Sequence, residues 1–360
     1  MSWFNRFAIC LLLATCLLGG CRKKAVSSPK EEPTPTAAPT TTTPAPAPAA
    51  RPTKDPIAEE IYAFRLQVRQ EYNTRLFDQL EKRAADLRRE KAKFRNGAWK
   101  LVQFYESFTC RDDEAERRWV QHDEIHQKWI ATFPQSITAR IAYADFLMSY
   151  AWHARGSGFA QEVTAEGGRL FSERAALAQS TLEAARQLPE KDPFWWTVTL
   201  RVARALGWSK QEFDRAVEEA KAQEPQFWSY DVSRAESLLP RWYGRPGDWE
   251  EYAEQAAARR DGLGAEVYAR IVASLRGYYD NIFHETKASW PTTRDGLAQI
   301  RKRCPESLDT ISETALLAVL AEDRAVAKSM FDQLGDKYLE NVWRTPEYFL
   351  RCRQWAETPE

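Results

Sequence analysis

The chain has 360 residues, 51 basic and 51 acidic side chains and 44% hydrophobic content. Zero net charge argues against a nucleic-acid binder, whose affinity comes mainly from neutralising phosphates with Lys and Arg. Beyond the N-terminus the longest apolar stretch, Thr314 to Ala321, is closed by Glu313 and Glu322 and is too short to span a bilayer.

Arg6 precedes an apolar stretch from Phe7 to Leu18, and small residues follow. That order is a charged n-region, a short h-region and the exit of a secretory signal. The run Leu18-Gly19-Gly20-Cys21 resembles the bacterial lipobox. The resemblance implies cleavage before Cys21 and acylation of that residue, which becomes the lipid anchor. Each buried CH₂ contributes roughly 0.8 kcal/mol, so several acyl chains hold a protein stably on a membrane. Arg22 stands where an Asp signals inner-membrane retention in such proteins. The expected location is therefore the cell envelope, on the outer membrane and facing the periplasm.

Residues 22 to 56 hold nine of the 19 prolines, seven Thr, seven Ala and no aromatic. Such a segment cannot bury enough apolar surface to offset its ordering entropy, and a disordered linker is expected. It would reach on the order of 100 Å as polyproline and nearer to about 30 Å as a coil. The expected organisation is a signal over 1–20, lipidated Cys21 with a linker to 56, and a body over 57–360.

The body reads as all-α. Asp55-Pro56 supplies a cap and a first-turn proline. Phe64, Val68, Tyr72, Leu76, Leu80 and Ala84 then recur every four residues as one amphipathic stripe. Further helices are predicted over 97–109, 112–132, 136–152, 171–187, 194–206, 209–223, 227–238, 248–260, 264–282, 293–302, 307–321 and 323–334. No convincing period-2 strand is found. Cys110, Cys304 and Cys352 lie in no CxxC pair, and burial as small hydrophobes is expected, with the pairing of Cys304 and Cys352 left open.

Four prolines each precede an Ala by ten residues: Pro134 with Ala144, Pro193 with Ala203, Pro225 with Ala235 and Pro305 with Ala315. This resembles the tetratricopeptide repeat, where the proline ends one helix pair and the small residue lets the next helix approach its partner. Ala327 and Phe331 stand where the second helix of the last unit would pack. The 59- and 80-residue gaps break strict periodicity. The resemblance implies an α-solenoid of helix pairs. It also places the residues eleven after each proline, Asp145, Arg204, Glu236 and Leu316, on a concave groove. Ion pairing between helices is the competing reading of the three charged ones.

Four stretches carry a further likeness. They are Phe133-Pro134-Gln135-Ser136 with Ala139 to Ala142; Trp152 to Ala160; Asp192 to Trp196 with Gly207-Trp208; and Leu239 to Gly244 with Pro246 to Glu250. The middle of the chain, roughly 60 to 290, resembles the bacterial family called domain of unknown function number four thousand and thirty-four. The element Trp152-His153-Ala154-Arg155-Gly156 is its most specific part, and Tyr243 stands where a Gly is common. The resemblance implies a helical-repeat fold, supplies no activity and offers no catalytic residue.

His122 and His126 share a helix face and could chelate a metal, but Asp123 follows the first His where a zinc protease needs Glu, and no third ligand can be named. Cys110 has no base that the sequence identifies, and Gly156-Ser157-Gly158 reads as a loop after a helix end. No catalytic residue, metal or cofactor is expected. The expected function is a membrane-anchored module that binds or scaffolds another envelope protein through Asp145, Arg204 and Glu236. The alternative is a carbohydrate or peptidoglycan binder using the Trp-rich third, with Trp152, Arg155 and Trp242 as contacts.

Overall fold

The computed structural model describes residues 51–53, 55–156 and 160–358. The signal, Cys21, most of the linker and residues 157–159 lie outside the described residues. Asp55 caps α1 (Pro56–Asn73), its side chain accepting from the Ile57 N–H at 3.0 Å. The four-residue stripe does not make one helix. Arg75 takes a left-handed φ of 58°, and α2 (Phe77–Glu90) starts anew. The stripe survives the break because Val68, Tyr72, Leu80 and Ala84 are all buried on the same side.

The chain continues as α3 (Lys100–Tyr105), a 3-10 turn over 106–108, α4 (Glu116–Thr132), α5 (Ile137–Arg155) and α6 (Ala165–Arg186). Then come α7 (Pro193–Ala205), α8 (Lys210–Gln223), α9 (Ser229–Ser237), α10 (Asp248–Ala258) and α11 (Ala265–Leu275). The last are α12 (Ile282–Glu285), α13 (Trp290–Arg303), α14 (Leu308–Leu320), α15 (Arg324–Leu334), α16 (Glu340–Trp343) and α17 (Pro346–Glu357). Caps fall where the sequence offers oxygen acceptors: Ser136, Thr164, Asp192, Ser209, Ser289, Ser307, Asp323 and Thr345 each accept from a first-turn N–H.

The helices form an all-α array of pairs. First helices α5, α7, α9, α11 and α14 pack on second helices α6, α8, α10, α13 and α15. Successive first helices also touch, α5 with α7, α7 with α9, and α9 with α11. Ala144, Ala203, Ala235 and Ala315, and also Ala327 and Phe331, have no exposed surface. The short gap is filled by the long α5 and α6. The 80-residue gap holds a whole extra unit, α11 with α13, whose first helix starts after Gly264 rather than after a proline. In that unit Gly296 is the small residue: a Cβ there would stand 2.0 Å from the Ala265 carbonyl oxygen.

A strap crosses this array. Helix α2 and residues 91–99 run along the turns that lead into the first helices. Glu81 accepts from the Ser136 hydroxyl at 2.5 Å, at the start of α5. Arg88 donates to Thr138 at 2.9 Å and to Asp192, the cap of α7, at 3.0 Å. Lys91 pairs with Glu224 at 2.5 Å, and the Trp99 and Phe227 rings lie 5.0 Å apart, before α9. Arg95 reaches Glu306 at 3.0 Å, before α14. The chain before α1 is tied down as well. Strand β1 (Arg51–Pro52) pairs in parallel with β2 (Lys337–Tyr338). This two-residue pair is the extent of the sheet among the described residues, and it ties residues 51 and 52 to the body. All three described cysteines are free and buried.

Two stability predictions follow from this packing. A Cβ on Gly167 would lie 2.6 Å from the Ala154 carbonyl oxygen, whereas one on Gly168 meets only Val163 at 3.8 Å. Gly167→Ala lowers unfolding free energy by about 1–3 kcal/mol through overpacking. Gly168→Ala raises it by about 0.5–1 kcal/mol, because Ala is the better helix former. Arg88→Met leaves Asp192 buried without its cation and costs about 3–5 kcal/mol. Denaturant titration of the three variants checks these signs.

Candidate interaction surface

The end of α5 carries Trp152 and Arg155, both half-buried. The chain after α9 turns back tightly and delivers Trp242 and Tyr243. The turn depends on Gly244, where a Cβ would sit 1.7 Å from the Leu238 carbonyl oxygen. Trp152 and Trp242 meet edge to face at 5.9 Å. Arg155 stacks over Trp152, and Arg204 of α7 stacks over Trp242, each at 5.2 Å. Such cation–ring contacts contribute about 0.5–1 kcal/mol at exposed sites.

Arg204 also pairs with Glu236 of α9. The other Glu236 oxygen accepts from the Tyr278 hydroxyl at 2.6 Å, and Arg241 lies 5.1 Å over the Tyr278 ring. Burial, then Glu236, pushes the Tyr278 hydroxyl up to about 12. Tyr243 donates to the Arg204 carbonyl at 2.7 Å. Tyr243 and Tyr278 remain 56% and 40% exposed. The structure thus gathers Trp152, Arg155, Arg204, Glu236 and Trp242 into one patch across α5, α7 and α9. Arg204 and Glu236 of the predicted column and all three of Trp152, Arg155 and Trp242 fall in it.

Asp145 does not. It is 2% exposed and paired with Arg201, one turn before Arg204. Burial raises its carboxyl and Arg201 opposes that rise. Its assignment to a partner-binding column is corrected: a partner cannot reach the carboxylate. Leu316, 4% exposed, lines a separate cleft near α16 and α17. Arg204 and Glu236 are an inter-helix ion pair, so their charges are matched before any partner arrives. The sequence reading missed Tyr243, Arg241 and Tyr278. Tyr243 adjoins Trp242, which was the available signal. Nothing local linked Tyr278 to Glu236, 42 residues away.

The remaining candidate chemistry is packed away. His122 Nδ1 lies 3.1 Å from the Phe108 carbonyl oxygen. His126 is fully buried among Tyr72, Phe108, Tyr143 and Phe146. Among the described residues no group of three His, Cys, Asp or Glu is placed to hold a metal. Burial pushes the Cys110 thiol up to about 12, the reverse of an activated nucleophile. No described helix is long and apolar enough to cross a membrane. No family model, curated protein or solved structure matches the chain.

Desolvation, followed by the neighbouring His122, holds His126 well below its ordinary pKa. The stability tied to the neutral ring is complete above the unfolded value near 6.5 and is lost as pH falls toward the depressed folded value. Tyr72 and Tyr143 face the ring, and Asp123 accepts from the Tyr143 hydroxyl at 2.9 Å. Between pH 7 and 5, His126→Leu flattens the decline in unfolding free energy by up to about 1.4 kcal/mol per pH unit. Urea titrations of parent and variant at matched pH values test it; identical slopes would contradict a buried neutral imidazole.

Proposed function

We propose that this chain is a lipid-anchored scaffold of the bacterial cell envelope that binds a protein partner through the Trp152–Trp242 patch. The observation that carries the reading is the patch itself. Trp, Tyr and Arg are the residues that dominate binding energy at protein interfaces. Here they share a surface with one matched ion pair, Arg204 with Glu236. The rings are half-buried and pre-positioned, so little side-chain entropy remains to be lost on binding.

A specific feature favours a protein over a glycan. Each platform ring already carries a guanidinium on one face: Arg155 on Trp152, Arg204 on Trp242 and Arg241 on Tyr278. A sugar stacks on an open aromatic face. A peptide can use ring edges, the exposed tyrosine hydroxyls and the outer N–H groups of the arginines. The lipobox-like run at Cys21 supports the anchor, and Arg22 supports the outer membrane.

In cells, a photo-crosslinking residue at position 243 captures one defined envelope protein, and Trp242→Ala lowers that yield at least about tenfold, as loss of a central aromatic anchor requires. Cys21→Ser releases the protein from the membrane fraction. The same captured protein at equal yield from the Trp242 variant would remove the patch from the reading. Retention on purified peptidoglycan, abolished by Trp242→Ala, would favour the glycan alternative.

A further inference from the structure

A cleft of about 460 Å³ opens where the ends of α11 and α14 face α16 and α17. Leu316, Leu320 and Val342 form an apolar wall. Three guanidiniums line the rest: Arg276, Arg344 and Arg351. Arg276 is fixed by two hydrogen bonds to Glu313, at 2.6 and 3.0 Å. Arg344 and Arg351 are exposed and have no carboxylate partner among the described residues; Arg351 rests 5.4 Å over the Tyr348 ring. Asp280 is the carboxylate at the rim.

The backbone at Arg344 is unusual. Its φ and ψ are 64° and −51°, and the Thr345 N–H donates to the Trp343 carbonyl at 2.7 Å. This is a three-residue γ-turn of the positive-φ kind, which is rare and strained for a residue with a Cβ. Glycine would fill it freely. The turn joins α16 to α17 and sets Arg344 in the lining of the cleft. Behind it Trp343 is fully buried, and its indole N–H has no acceptor among the described residues.

We propose that this cleft binds a phosphoryl group carried on a small organic molecule. One guanidinium fork satisfies a carboxylate. Two unpaired forks, a third fixed one and the Thr345 side chain at the cleft offer more donors than a carboxylate can accept. A phosphate ester has three terminal oxygens and close to two charges at neutral pH, and uses them all. Inorganic phosphate would leave most of the volume empty, whereas the Leu316 wall takes an apolar or aromatic group. The cleft shares no lining residue with the aromatic patch, and the inference does not depend on the patch's role.

The test titrates the full-length chain with phenyl phosphate, inorganic phosphate and benzoate, read by tryptophan fluorescence and thermal unfolding. Phenyl phosphate saturates and raises the melting temperature, and inorganic phosphate and benzoate each bind at least about tenfold more weakly. Arg344→Gly keeps or raises the melting temperature of the free protein and weakens phenyl phosphate binding at least about tenfold; Arg351→Gln weakens it similarly without relieving the turn. No saturable binding of phenyl phosphate overturns the proposal. Equal affinity for benzoate would make the site a carboxylate site, and equal affinity for inorganic phosphate would remove the organic part. Parent-like binding by both variants would place the anion elsewhere. A lower melting temperature for Arg344→Gly would mean that the arginine serves the fold, and Arg351→Gln then decides alone.

Discussion

The fold hangs on the contact between Arg88 and Asp192. Asp192 caps α7, is almost wholly buried, and accepts from three directions: Arg88 at 3.0 Å, the Tyr105 hydroxyl at 2.7 Å and the Phe194 N–H at 2.8 Å. Burial alone would lower the Arg88 guanidinium; Tyr105, Asp192 and Glu190 outweigh it and hold the group above its ordinary value. Burial pushes the Asp192 carboxyl up, and Arg88, the Tyr105 hydroxyl and the Phe194 N–H oppose that rise; a buried pair repays its desolvation only where such partners are in place. Repeat arrays are quasi-one-dimensional, and each pair leans mainly on its neighbours. The strap changes that. It ties turns before α5, α7, α9 and α14 to one segment, so those repeats are braced by contacts far apart in sequence.

The brace fixes which end of the helices is left for binding. The strap covers the N-terminal ends of the first helices, where Ser136, Asp192 and Ser307 already satisfy the first N–H groups. The opposite ends stay at the surface. Trp152 and Arg155 close α5, Arg204 closes α7, Glu236 stands at the end of α9, and Arg276 follows α11. The aromatic patch and the arginine-lined cleft therefore lie along the same row of helix ends.

What could be read from the sequence was what short-range chemistry decides. Pro193 behind Asp192 and the alanine ten residues on marked α7 and its close approach, and the same signal marked α5, α9 and α14. The helix over 264–282 was legible, but the place of α11 as the first helix of a unit was not, because Gly264 opens it in place of a proline and the Gly296 contact that defines its unit lies on the partner helix. The break between α1 and α2 escaped because Arg75 adopts the left-handed turn that glycine or asparagine would have announced. The strap was invisible for a different reason: Arg88 and Asp192 are 104 residues apart, and among 51 acidic side chains no local rule picks out one. The patch was half legible. Its tryptophans stood out by type and its Arg204–Glu236 pair by repeat position, but the groove that was to hold Asp145 is closed by packing.

Arginine at a helix C-terminus has a structural explanation ready, since the exposed carbonyls and the negative end of the dipole favour a cation there. Arg155 donates to the Gly156 carbonyl at 3.2 Å, and Arg204 and Arg276 each hold a carboxylate. Those three would be retained by a chain that bound nothing. Arg344 follows the four-residue α16, reaches no carboxylate among the described residues and sits on a backbone that glycine would adopt more easily. Arg351 lies within α17, a turn away from either end, and meets only the face of Tyr348. Helix-end electrostatics explain the first group and leave the second without a structural reason. The separation between the two groups is what distinguishes a cationic rim inherited from the repeat from a cationic cleft that a ligand would have to justify.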